Sequence, residues 1–148
     1  MGNQSIDNAE VVSVLNRILE LELAGVVRYT HYSLMVYGYN RIPIVGWLRE
    51  QATEALVHAQ AAGEWITTLG EHPSLTVGPL LETHKHQIGQ ILQESRENER
   101  TALEQYQHLL ELVKDRHVAI EEYARQMIRA EEEHLSEVDK MLRNPDKT

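Results

Sequence analysis

Apolar residues recur along this chain in alternating steps of three and four, in four separate stretches. That spacing gathers side chains on one face of a helix, the face that packs against a core. The first stripe runs Val12, Leu15, Leu19, Glu22, Val26, Tyr29, Ser33, and the second Leu48, Gln51, Ala55, His58, Ala62, Trp65, Leu69. The third runs Ile88, Leu92, Ser95, Glu99, Ala102, Tyr106, Leu109, Val113, and the fourth Ile120, Ala124, Met127, Glu131, His134, Val138, Met141. Strand-like alternation is absent. Asp7 and Glu10 make a candidate capping pair for a first helix that runs to about Gly38. Tyr39 to Pro43 form a turn, with Pro43 suited to opening a second helix from about Ile44 to Leu69 that stops at Gly70. Glu71 to Glu82, which holds Pro73, Gly78 and Pro79, reads as a loop. The third helix is expected from about Thr83 to Val113. Lys114-Asp115-Arg116 then turn the chain into a fourth, from about His117 to Leu142. Four amphipathic helices of such length predict an all-α four-helix bundle, with residues 1–148 as one domain.

Charge narrows the partners. With 23 acidic and 14 basic residues the chain carries a formal net charge of −9. Nucleic acids and anionic membrane surfaces both require a basic footprint, so neither is expected as a partner. The absence of Cys excludes disulfides, thiolate zinc sites and cysteine nucleophiles. No apolar run approaches the ~18 residues of a membrane span, and no signal-peptide pattern opens the chain. The expected location is the cytoplasm.

The stripes are not purely apolar. Ser33, Gln51 and Ser95 are small or neutral, but Glu22, His58, Glu99, Glu131 and His134 are ionisable and lie near the middle of their stripes. An ionised carboxylate is almost never buried unless it is paired or bound to a metal. Glu131 and His134 are three residues apart and can grip one ion together. A lone core histidine such as His58 more often satisfies a hydrogen bond than binds a metal. Five such groups at similar depth on four inward faces instead suggest a metal inside the bundle. Glu132 and Glu133 read as a solvated face, and His84 and His86 as exposed residues at the start of the third helix. His31, His72, His108 and His117 carry no spacing signal. Tyr32, Tyr37, Trp47 and Trp65 read as core or interface residues.

The constellation resembles the ferritin-like di-iron carboxylate proteins, which draw a Glu from each of two helices and Glu-x-x-His from each of the other two. Within that superfamily the chain is most similar to the bacterioferritins. Leu15-Asn16, Glu22-Leu23 and Tyr29 resemble their first-helix motif. His58-Ala59 with Leu69-Gly70 and Pro73-Ser74-Leu75 resembles the end of their second helix and its crossover, and Glu131-Glu132-Glu133-His134 their second Glu-x-x-His. The resemblance implies an up-down-down-up bundle with a long crossover between helices two and three. It also implies two iron ions, with manganese or zinc as alternatives, held by Glu22, Glu54, His58, Glu99, Glu131 and His134. Glu22 would then be a terminal ligand, Glu99 a bridging or terminal one and Glu131 a bridge.

Three positions depart from the pattern. Ala55 stands where the second helix should carry Glu, so Glu54 is the nearest acid, and it turns inward only if a π-bulge shifts the register. Leu56 occupies the place of a haem-binding Met and offers iron no donor, so haem is not expected. The chain stops at Thr148, where the family has a short fifth helix lining the channels of a large shell. A homo-oligomer is expected, with a dimer favoured over that shell.

The implied activity is that of a ferroxidase, oxidising Fe(II) with oxygen or peroxide for storage or detoxification of iron. Glu22, Glu99 and Glu131 would carry the chemistry. Tyr29, two turns from Glu22, is placed to donate a hydrogen bond or an electron. A di-metal oxidase without storage and a structural or regulatory bundle with an incomplete site are the alternatives. Ala55 is the residue that keeps the last of these open.

Overall fold

The structure is a computed structural model that describes residues 5–145. It contains four helices in chain order: α1 (Asn8–Met35), α2 (Arg41–Thr68), α3 (Ile88–Val113) and α4 (Val118–Leu142). Asp7 Oδ1 accepts from the Glu10 backbone N–H at 3.1 Å, so the expected cap opens α1. α1 ends at Met35, where Val36 becomes extended (φ −76°, ψ 121°), and Gly38 at φ +97° then turns the chain. Arg41 donates to the carbonyls of Ser33 and Val36 at 3.0 and 2.8 Å, satisfying acceptors that the end of α1 leaves open. α2 therefore starts at Arg41, earlier than the proline suggested, and Pro43 falls in a first turn that needs no N–H donor.

The start of the third helix is the main correction. Thr83 to Gln87 are not helical: His84 adopts φ +55°, and its N–H donates to the Glu82 carboxylate at 2.7 Å. That local turn competes with a helical turn and delays α3 to Ile88. His117, which had no assigned part, caps α4 by accepting the Ile120 N–H on Nδ1 at 3.1 Å.

α1 packs along α2, α3 along α4, and α1 also against α3. Tyr32 near the end of α1 donates to Glu94 early in α3 at 2.7 Å, while Tyr29, one turn back, donates to Glu99 further along at 2.8 Å. Helices α1 and α3 are thus antiparallel, which makes α3 parallel to α2 and gives the up-down-down-up order. The bundle has two apolar clusters. One contains Leu15, Ile18, Ile66, Tyr106 and Leu109, and the other Tyr29, Tyr32, Val36, Leu48 and Ile91. Glu22 sits between them along α1, so a polar layer divides the core. Met141, assigned to the fourth stripe, is instead exposed in the last turn of α4.

The crossover lies along α1. The Ser74 N–H donates to Asn16 Oδ1 at 2.7 Å, Gly78 N–H to the Glu20 carbonyl at 2.9 Å, and Arg28 to the Pro79 carbonyl at 3.2 Å. A Cβ at Gly78 would lie 2.8 Å from the Glu20 carbonyl oxygen, so only glycine permits this approach. Gly78→Ala is expected to lift the crossover and cost about 1–3 kcal/mol, read as a lower thermal midpoint. An unchanged midpoint would show that the segment adds nothing to stability. Among the described residues, no helix is long and apolar enough to cross a membrane.

Candidate metal centre

Glu22 from α1, Glu54 and His58 from α2, Glu99 from α3, and Glu131 and His134 from α4 line a single cavity in the polar layer. Gln51, Ala55 and Ala130 complete its wall. Glu22 and Glu131 are the most deeply buried acids, at 5 % and 3 % exposure.

The groups fall into two halves. In the first, His58 Nδ1 is 3.1 Å from Glu22 Oε2 and 3.7 Å from Glu131 Oε1. Ligand-capable atoms of these three residues all lie within 4.8 Å of one another. In the second, His134 Nε2 is 3.9 Å from Glu99 Oε1, and the Tyr29 hydroxyl donates to that same oxygen at 2.8 Å while lying 3.2 Å from His134 Nε2. Tyr29 thus bonds to Glu99, not to Glu22. Trp47 stacks on the His134 ring, with centroids 5.7 Å apart and planes inclined by 6°. Its position in α2 lies off the stripe, so helical periodicity does not reveal this contact.

Glu54 takes a different place from the one a bulge would give it. α2 is a regular α-helix throughout, with no π-turn. Glu54 stays half-exposed at the rim, with Oε1 3.7 Å from His58 Nε2. It therefore faces the ring nitrogen opposite the one turned toward Glu22 and Glu131. His86, expected to be exposed, is partly buried, whereas His84 is exposed as anticipated.

The electrostatics follow from crowding acids in a dry layer. Burial pushes Glu22 up to about 7, against the opposing pull of the His58 hydrogen bond and charge. Burial also raises Glu131 well above the carboxylate range, reinforced by Glu99 and Glu22. His58 is raised: burial opposes its protonation, but the hydrogen bond and charge of Glu22, with Glu54 behind them, outweigh that. Tyr29 is raised by burial and then by Glu99, so it remains a neutral donor. Glu131 Oε2 is buried with no hydrogen-bond partner, an arrangement that costs about 1–3 kcal/mol when nothing offsets it. A divalent cation would meet that oxygen and neutralise its neighbours, and carboxylate and imidazole donors suit iron, manganese and zinc.

Four helices with an up-down-down-up order, split by a carboxylate and imidazole layer, define a ferritin-like bundle. The chain belongs to the ferritin-like domain family, which residues 12–148 match. No curated protein matches it in sequence. Its fold is similar to that of a ferritin-like, di-iron carboxylate protein from Bacillus anthracis str. Ames, with a TM-score of 0.88 and 23 % identity over 95 % of this chain and 100 % of that one. It is also similar to the bacterioferritin-related dodecameric thioferritin of Bacteroides fragilis (TM-score 0.83, 22 % identity, 93 % and 87 % covered). A third similar structure is the Rhodobacter capsulatus bacterioferritin (TM-score 0.83, 20 % identity, 94 % and 86 % covered).

Proposed function

We propose that this chain binds two ferrous ions in the central cavity and oxidises them to Fe(III) with oxygen or peroxide. The observation that carries the proposal is the buried Glu131 carboxylate, whose Oε2 has no hydrogen-bond partner while Oε1 lies 3.7 Å from His58 and Glu99 presses on it from the other side. Glu22 and His58 would hold one ion, Glu99 and His134 the second, and Glu131 would serve both. Tyr29 fixes Glu99 through its hydroxyl. Fe(II) is the substrate here: two ferrous ions release two electrons, which with two protons take dioxygen to hydrogen peroxide or peroxide to water. The di-iron description of the Bacillus anthracis protein supports the reading.

Glu54 acts on the first ion through His58. A carboxylate on the outer nitrogen of a ligating imidazole fixes its orientation and raises its basicity, and losing such a partner typically costs 10–100-fold in metal affinity. Glu54→Gln is therefore expected to weaken binding by about that factor while two ions per chain still bind at saturation. A fall to one ion would make Glu54 itself a ligand.

Leu56 offers no donor, and haem has no part in the proposal. A homo-oligomer is proposed from the exposed apolar residues Val27, Leu56 and Val57, and is supported by the dodecameric Bacteroides relative. Mass measurement in solution separates a dimer from a shell able to store iron. Aerobic addition of Fe(II) to metal-free protein tests the activity. Saturable, protein-dependent oxidation at two ions per chain is expected. Oxidation no faster than in buffer, or no bound metal, would leave only a structural bundle.

A further inference from the structure

A second cluster of metal-ligating side chains lies where the crossover meets α1. His31 projects from α1, and Glu82 and His86 come from the segment just before α3. His31 Nε2 is 2.9 Å from Glu82 Oε2, and His86 Nε2 is 3.4 Å from Glu82 Oε1. Ligand-capable atoms of all three fall within 4.8 Å of one another. Both Nε2 atoms are buried, and neither has a hydrogen-bond partner. They lie near the carboxylate without being aligned to donate to it.

Two donors bound to one ion at about 2.1 Å each stand roughly 3.0–3.5 Å apart at octahedral to tetrahedral angles, which is close to the N···O separations found here. The carboxylate is already positioned, because Glu82 Oε1 accepts the His84 N–H at 2.7 Å, a contact that goes with the left-handed backbone of His84. A non-glycine residue persists there only where its surroundings enforce it. His84 Nδ1 itself lies 3.9 Å from the same oxygen, on an exposed ring. Sequence spacing cannot reveal this group, since His31 is far from Glu82 and His86 along the chain and only the crossover brings them together.

We propose that His31, Glu82 and His86 form a mononuclear site for a divalent transition metal, zinc or ferrous iron, that clasps the crossover segment to α1. Two imidazoles and one carboxylate suit these ions and not magnesium or calcium, which prefer all-oxygen sets. A bound ion gives both orphaned nitrogens a partner and adds a tie to a segment otherwise held by a few hydrogen bonds. The site shares no residue with the central cavity and does not depend on that cavity holding iron.

The test uses the full chain carrying Glu131→Gln, which disables the central cavity, with stoichiometric zinc as the probe. One ion per chain is expected, with an anomalous diffraction peak within bonding distance of His31 Nε2, His86 Nε2 and the Glu82 carboxylate. Zinc should raise the thermal midpoint, and His31→Ala with His86→Ala should abolish that rise. Zinc binding unchanged by the His31 and His86 substitutions would overturn the proposal. If that variant fails to fold, the diffraction peak decides alone, and its absence from this cluster overturns the proposal.

Discussion

Glu131→Gln is expected to abolish protein-dependent Fe(II) oxidation and at the same time to make the metal-free protein more stable. The two effects share one cause. Glu131 is raised well above the carboxylate range, because it is buried and has Glu99 and Glu22 beside it. Holding a carboxyl there without a cation leaves Oε2 unpartnered. Glutamine keeps the shape, removes the ionisable proton and gives an amide N–H₂ to nearby carboxylates. Metal-free stability at pH 8 should rise by about 1–3 kcal/mol, the usual cost of an unmet buried polar group. The loss in metal affinity should exceed 100-fold, since losing even an indirect partner of a ligand costs about 10–100-fold. Chemical denaturation in chelator and aerobic iron oxidation read the two effects separately. The neighbouring Glu133 forms an exposed pair with Arg129 at 3.0 Å, so Glu133→Gln should move stability by no more than about 0.5 kcal/mol and leave oxidation intact. A destabilised Glu131→Gln would mean that the carboxylate is a structural member of the core. Stability traded for a poised site is the pattern seen where function requires a strained group.

What could be read from the sequence divides along a physical line. Helix faces repeat every three or four residues, so Glu22, His58, Glu99, Glu131 and His134 could be placed at one depth without knowing how the helices meet. All five line one cavity. The ends of helices depend on single backbone conformations, and there the periodic pattern misled. The third stripe begins at Ile88, where α3 starts, but the helix was expected from about Thr83; His84 at φ +55° and its bond to Glu82 keep those residues out of it. Contacts between elements were least legible. Trp47 on His134, and His31 beside Glu82 and His86, are long-range pairings set by how α2 meets α4 and by the path of the crossover. Glu54 is intermediate. Its i,i+4 relation to His58 gave proximity, but only the ring orientation shows that it meets Nε2, with Nδ1 facing inward.

Metal-free protein should lose stability as pH rises from about 4.5 to 7, whereas the loaded protein should gain it. Glu22 has an ordinary carboxyl value of 4.5 and is pushed up to about 7 by burial, so across that interval the folded chain holds a proton that the unfolded chain has released. Stability falls with pH wherever the native state binds more protons. Glu131, raised further, acts in the same direction and extends the loss to higher pH. His58 adds to it: with its folded value raised above 6.5, its contribution is complete below that pH and disappears as pH climbs through the raised value. The shift at Glu22 alone corresponds to about 3 kcal/mol. Glu82 and Glu121 are held below the usual carboxylate range, chiefly by the backbone N–H groups of His84 and Asp115, so what they contribute is lost only as pH falls below 4.5. Metal-free stability should therefore peak near pH 4.5. A divalent cation takes the place of the protons on Glu22 and Glu131, so its binding releases protons and tightens as pH rises. Urea denaturation from pH 4 to 8, in chelator and with saturating Fe(II) under nitrogen, should give curves of opposite slope above pH 5. Parallel curves would mean that the cation does not bind where these carboxyls titrate, and the central cavity would lose its claim to the metal.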